Sequence, residues 1–204
     1  MQMPLTIDSL ISRIPSLAEC REDILKVRDV LTATFRSGGK LLLCGNGGSA
    51  ADCEHWAGEL LKSFVKDRPL PAKLAEKLPA ELAQNLEAAL PAIPLGGFQA
   101  ASTAFANDVA PQLIFAQLTL GLGKPGDVLV GISTSGNSAN VCKAVLTAKA
   151  IGMKTVALTG KSGGELAKLA DTAIRAPETE TYKIQELHLA IYHWLCMAVE
   201  NEFF

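Results

Sequence analysis

Two stretches decide the fold. They are Lys40-Leu41-Leu42-Leu43-Cys44-Gly45-Asn46-Gly47-Gly48-Ser49 and Asp127-Val128-Leu129-Val130-Gly131-Ile132-Ser133-Thr134-Ser135-Gly136-Asn137-Ser138. In each, a short apolar run ends in glycines and hydroxyls and gives way to a helical pattern. A strand that ends this way and enters a helix presents free backbone N–H groups, with the positive end of the helix dipole behind them. That geometry binds anions, phosphate above all. Two such turns suggest a ligand with a phosphate at one end and other polar groups to grip. Glycine is also common in ordinary βα turns. The second turn holds three Ser and one Thr within six residues, which favours the phosphate reading.

Working outward, strands alternate with helices. One or two helices are expected over Ile7–Phe35, where Ile11, Ile14, Leu17, Ile24, Val27 and Leu31 recur at helical spacing before Gly38-Gly39. A helix follows from Ala50 to about Phe64, then a strand near Ala92–Leu95 and a helix over Asp108–Leu122 with Pro111 near its start. Strand Val128–Ile132, helix Ser138–Ile151, strand Thr155–Leu158, a turn at Gly160–Gly164, helix Glu165–Leu169, strand Thr172–Arg175 and a long helix from about Thr181 complete the pattern. This alternation implies a three-layer αβα sandwich around a central parallel sheet, with long N- and C-terminal helices. Ligands then bind outside the carboxyl ends of the strands, where both glycine turns lie. Residues 66–91 break the rhythm. They read as a Pro-punctuated helical insertion with Leu74, Leu78, Leu82, Leu86 and Leu90 at steps of four, split by Pro79. Packing on its own subunit, a subunit contact and a lid are all open readings of it.

The 204 residues are 49% apolar and 20% charged, with a formal net charge of -2, an ordinary globular balance for one domain. No basic stripe points to nucleic acid, and no apolar stretch is long enough for a membrane span. Met1–Ile14 lacks the basic start and long apolar centre of a signal peptide. The five cysteines (Cys20, Cys44, Cys53, Cys142, Cys196) are scattered and never spaced as CxxC, so reduced thiols in the cytoplasm are expected.

The chain has three histidines, His55, His188 and His193, all in the two helices that adjoin the expected site. His55 and Glu59 are four apart, about 40° around one helix face, near enough to share a metal or a substrate. On the last helix Gln185 and His193 lie about two turns apart, with His188 on the other side of Gln185; periodicity does not choose between the histidines. Such a set can perform acid–base chemistry on a sugar carbonyl or bind a divalent metal, although a single histidine is more often a hydrogen-bonded surface or interface residue.

At these residues a family resemblance emerges. Cys44-Gly45-Asn46-Gly47-Gly48-Ser49-Ala50-Ala51-Asp52 with His55 and Glu59, together with Gly131-Ile132-Ser133-Thr134-Ser135-Gly136-Asn137-Ser138-Ala139-Asn140-Val141, closely resembles the phosphoheptose isomerases, within the sugar isomerase (SIS) domain family. Asn107-Asp108, Ala157–Gly164 and Ile184-Gln185-Glu186-Leu187-His188 with His193 match in type and order, and only residues 66–91 fall outside. The resemblance implies isomerisation of sedoheptulose 7-phosphate to a heptose 7-phosphate, usually by a homotetramer with active sites at subunit interfaces. It implies that Ser133, Thr134, Ser135 and Ser138 hold the phosphate, and that Asn46, Gly47, Gly48, Ser49, Asn107, Asp108 and Gln185 line the sugar site. Glu59 is then the base moving a proton through an enediol, with His193 as its acid–base partner. Some members of the family bind zinc, and the matching ligands are His55, Glu59, Gln185 and His193; no organic cofactor is needed.

The chain departs from the family's pattern at two places. An arginine usual after the glutamate is replaced in Lys62-Ser63-Phe64, and an aspartate usual before Ile-Gln-Glu is replaced in Tyr182-Lys183. Lys62 supplies a point charge in place of a planar fork, and Glu178 or Glu180 offers the carboxylate. The competing readings are an isomerase for another sugar phosphate and a non-catalytic SIS protein that binds phosphosugars or a partner.

Overall fold

The computed structural model describes residues 6–204; residues 1–5, the first part of the stretch read above for a signal peptide, lie outside it. The first helix, α1 (Ile7–Arg13), leads through a 3-10 turn at Pro15–Cys20 into α2 (Arg21–Arg36). Gly38 and Gly39 end α2 and release the chain into β1 (Leu41–Cys44), which is followed by α3 (Gly48–Leu61). Then come two short helices, α4 (Ala72–Ala75) and α5 (Ala80–Asn85), strand β2 (Ala92–Pro94), α6 (Gln99–Asp108) and α7 (Ile114–Leu122). The remainder alternates regularly: β3 (Val128–Ser133), α8 (Ala139–Ile151), β4 (Lys154–Thr159), α9 (Gly164–Leu169), β5 (Thr172–Arg175) and α10 (Thr181–Phe203).

All five strands pair in parallel, in the order β2-β1-β3-β4-β5. Successive side chains of a strand point to opposite faces, and here both faces are covered. Leu41, Leu43, Val128, Val130, Ile132, Val156 and Leu158 face a core shared with α1, α2, α3 and α10. Leu42, Cys44, Leu129 and Ala157 face a second core built with α7, α8 and α9. Helix α8 sits so close to β3 that a Cβ on Gly131 would fall 2.8 Å from Val141 Cγ1. The expected αβα sandwich with long terminal helices is the observed fold.

Two expectations need correction. Helix continuity over Asp108–Leu122 fails: α6 ends at Asp108, Pro111 opens a 3-10 turn, and only Ile114 onward is α-helical. Proline lacks the N–H that a helix interior requires, so it starts the new turn here and separates two helices. Helix α6 itself carries no buried side chain and so left no apolar stripe to read. In residues 66–91 only α4 and α5 are helical, each entered from a proline, Pro71 and Pro79. The leucines at steps of four form no common face: Leu90 joins the core, whereas Leu74, Leu82 and Leu86 are exposed. Backbone pairing closes this excursion at its base, with Ala88 N donating to Arg68 O (2.8 Å) and Leu90 N to Leu60 O (2.9 Å).

Gly136 has φ +68°, and a Cβ there would collide with the Gly163 carbonyl of the neighbouring turn. Gly136→Ala is therefore expected to cost about 2 kcal/mol or more, whereas Gly38→Ala, at φ +78° in open space, should cost about 1 kcal/mol of backbone strain. Denaturant midpoints of the two variants check this; equal losses would show that contact between the turns contributes nothing.

Candidate active site

The order of strands reverses between β1 and β3, and in parallel sheets this switch point opens a crevice at the carboxyl edge. Both glycine turns lie there. Gly45 leaves no room for a side chain against Ser49, and Gly47 enters α3 with φ +55°. Asn46 spans the crevice to Asn140 at the start of α8, exchanging two amide hydrogen bonds of 2.9 and 2.8 Å. Ser49 is buried in the first turn of α3, and the Gln185 side chain packs directly on Gly48.

In the second turn Ser133 and Ser138 share a hydroxyl hydrogen bond of 2.9 Å. Ser135 Oγ accepts from Asn137 N (3.1 Å), and Asn137 Oδ1 accepts from Glu165 N (3.0 Å). These bonds hold the turn open against the Gly160–Gly164 loop. Between them lies a cavity of about 310 Å³ lined by Thr134, Ser135, Lys161, Ser162, Glu178 and Thr181. Its hydroxyls and the Lys161 ammonium make this cavity suitable for a phosphate group.

The acid–base groups come from α3 and α10, which pack against each other. His55 Nε2 lies 3.1 Å from Glu59 Oε1, and Lys62 Nζ donates to Glu59 Oε2 at 2.8 Å. Burial pushes the Glu59 carboxyl up, but the Lys62 ammonium and then His55 outweigh it, so the group stays below its usual value. His193 packs edge-on against His55 and Tyr192, with ring centres 5.0 Å apart in each case, and beside the Phe64 ring at 5.4 Å. Burial, and then the His55 charge, hold His193 below the ordinary histidine value. Glu59 is thus ionised and His193 neutral near neutral pH, the states a base and its partner require.

The structure separates the two candidate histidines of α10. His188 is fully buried, with Nε2 3.1 Å from the Thr159 carbonyl oxygen, and burial lowers its pKa to about 4. His193 instead joins His55 and Glu59, with one ligating atom from each within 4.8 Å of the others. His193 Nε2 is buried without a hydrogen-bond partner. An orphaned imidazole nitrogen beside a second imidazole and a carboxylate fits a divalent metal, and the donor set suits zinc. Gln185 packs on Gly48 at the start of α3, about three turns along that helix from Glu59. Asn107 and Asp108 also stand apart, hydrogen-bonded to each other (2.9 Å) on the exposed end of α6.

Sequence reasoning assigned no role to Asp52 or Tyr192, although Asp52, His55 and Glu59 follow at i, i+3 and i+7 on one face of α3. Tyr192, stacked on Trp56, places its hydroxyl 2.9 Å from His55 Nδ1 and 3.4 Å from Asp52 Oδ1. When Tyr192 donates to Asp52, His55 donates through Nδ1 and turns the Nε2 lone pair toward Glu59. Two acceptors at that distance need a proton or a cation between them.

With this fold and site in place, known proteins give the class. Two SIS domain family models match, one over residues 7–89 and the other over residues 101–198. A phosphoheptose isomerase of Rhodospirillum rubrum is 41% identical over 185 residues, 91% of this chain and 88% of that protein, and one of Akkermansia muciniphila is 39% identical over 93% of this chain and 90% of its own length. The solved phosphoheptose isomerase of Francisella tularensis superposes with a TM-score of 0.78 at 33% identity, covering 95% of this chain and 94% of that one; the Neisseria gonorrhoeae structure gives 0.75 at 32%, covering 96% and 100%. The chain belongs to the phosphoheptose isomerase family.

Burial raises the Asp52 carboxyl from 3.8 to about 6, against the lowering effects of Tyr192 and His55. A raised folded pKa means the folded state holds this proton more tightly than the unfolded chain, so stability from Asp52 is present at low pH and is lost as pH rises toward about 6. Asp52→Asn is expected to raise the melting temperature at about pH 8 and to lose that advantage at about pH 4. Thermal melts at both pH values check this, and a pH-independent difference would contradict it.

Proposed function

We propose that this protein isomerises sedoheptulose 7-phosphate to a heptose 7-phosphate. The carrying observation is that ionised Glu59 and neutral His193 cluster with His55, while a separate hydroxyl-lined cavity suited to a phosphate opens at the β3 turn. The phosphate is anchored by Ser133, Thr134, Ser135 and Ser138 with the N-terminus of α8 behind them. Binding energy gathered there orients the reacting carbons several bonds away. Asn46, Gly47, Gly48, Ser49 and Gln185 border the sugar end. Glu59 removes a proton from C1 of the ketose while neutral His193 gives its proton to the C2 oxygen, forming the enediol. His193 then takes the proton of the C1 oxygen as Glu59 returns its proton to C2, and the aldose results with no redox partner required.

His55, Glu59 and His193 would hold zinc, and Gln185, which packs at the start of α3, would join them from a neighbouring subunit. When bound, zinc would polarise the sugar carbonyl. The assembly we propose is a homotetramer with sites shared between subunits. Its support is α6, which buries no side chain in this subunit and ends in an exposed Asn107–Asp108 pair with the chemistry of a sugar-site wall. A cytoplasmic location accords with five free cysteines, and no helix of the described residues is long and apolar enough to cross a membrane.

Glu59→Gln is expected to lower turnover about 1,000-fold while phosphosugar binding persists. Ser135→Ala, which removes a hydroxyl facing a charged group, should weaken binding about tenfold or more. An isomerisation assay with sedoheptulose 7-phosphate, with and without added zinc, together with calorimetric binding, tests both. Saturable binding without turnover in the wild type would shift the reading to another sugar phosphate or to a binding protein.

A further inference from the structure

A helix leaves its last carbonyls without partners, and α3 ends at Leu61 without a glycine cap. The guanidinium of Arg68 takes those carbonyls: Nη2 donates to Glu59 O (2.9 Å) and Nη1 to Leu60 O (2.6 Å). Its Nε donates to Glu200 Oε1 at 2.7 Å, and both side chains are 0% exposed. The Glu200 carboxylate also accepts the backbone N–H groups of Phe64 (2.9 Å), Val65 (2.9 Å) and Lys66 (3.2 Å). Glu200 stands seven residues beyond His193 on α10, two turns on and about 20° around the same face.

We propose that Arg68 and Glu200 are positioning residues, a buried clamp that sets the separation of Glu59 and His193. A fully buried ion pair adds little net stability compared with apolar side chains of equal volume, so its use lies in fixed geometry. Three features of this geometry converge on the acid–base pair. The clamp grips the carbonyl of Glu59 itself. It ties α3 to α10, the helix that carries His193. It also shapes the turn whose Lys62 bonds Glu59 and whose Phe64 ring packs on His193. The planar fork of arginine reaches two carbonyls and a carboxylate together, which a lysine ammonium on a flexible stem does not reproduce.

The test is Arg68→Met/Glu200→Leu, which removes both charges and leaves neither unpaired, alongside Arg68→Lys. The inference rests on the isomerase reading for its kinetic readout alone; a second readout, zinc affinity by calorimetric titration, does not involve turnover. In the folded double variant we expect kcat to fall about tenfold or more while KM stays within about threefold, because the phosphate cavity is untouched, and zinc affinity to fall about tenfold. Arg68→Lys should show the same kcat loss in smaller measure. A wild-type protein that fails to convert sedoheptulose 7-phosphate overturns the isomerase reading, and zinc affinity then decides the clamp. A folded double variant with wild-type kcat and zinc affinity overturns the clamp, as does a rise in KM at unchanged kcat. Should the double variant not fold, Arg68→Lys with wild-type kcat and zinc affinity is enough to overturn it.

Discussion

Every strand of the sheet runs the same way, so all five carboxyl ends share one edge, and each strand needs a crossover before the next can pair. That single constraint places everything else. The chain leaves β1 for one edge strand, returns past it to β3, and then proceeds outward in the other direction. Helix α3 therefore lies on one face and α8 on the other, and the turns that launch them diverge. The gap between them is the crevice that the Asn46–Asn140 pair bridges. No residue of the site needs an unusual backbone other than glycines at positive φ, because the topology has already brought two helix N-termini together.

The His55–Glu59–His193 cluster holds opposite charge states side by side. A carboxylate and an imidazole buried together would each tend toward neutrality. Lys62 reverses the tendency for Glu59, while burial keeps it for His193. Behind them Asp52 and Tyr192 fix which nitrogen of His55 faces Glu59. The order of these groups along α3, 52, 55, 59 and then 62 beyond its end, follows helical spacing, so one rigid element carries Glu59 and most of what tunes it.

Much of this was legible in the sequence because the signals were local. The β1 and β3 turns, the long terminal helices and the His55–Glu59 spacing each depend on residues close in the chain, where glycine conformation and helical periodicity act directly. What escaped depended on distant partners or on burial. Helix α6 has no buried face and so no periodic stripe. The leucines of residues 66–91 matched a helical step, yet prolines and the pairing of Arg68 with Ala88 and Leu60 with Leu90 governed the backbone. Local spacing also left His188 and His193 equivalent. They differ only in what faces them, a backbone carbonyl of β4 in one case and the α3 cluster in the other. Arg68 and Glu200, 132 positions apart, look like two surface charges until the fold buries them together.

The departures from the family's pattern take on physical meaning in this light. Beyond Glu59 this chain places two cations in different settings. Lys62, with its side chain 61% exposed, brings a mobile charge to Glu59, while fully buried Arg68 holds the turn. At the other departure, Glu180 is engaged by Lys183 at 2.9 Å on the surface, whereas Glu178 lines the cavity beside Lys161 and Thr181. Of the two carboxylates that could replace the family's aspartate, Glu178 is therefore the one that lines the cavity. Lys161 stands on the same wall, so the charge that Glu178 adds is partly offset within the cavity. A sugar hydroxyl there would meet an acceptor and a donor side by side, which suits a polyol chain better than it suits an apolar substituent.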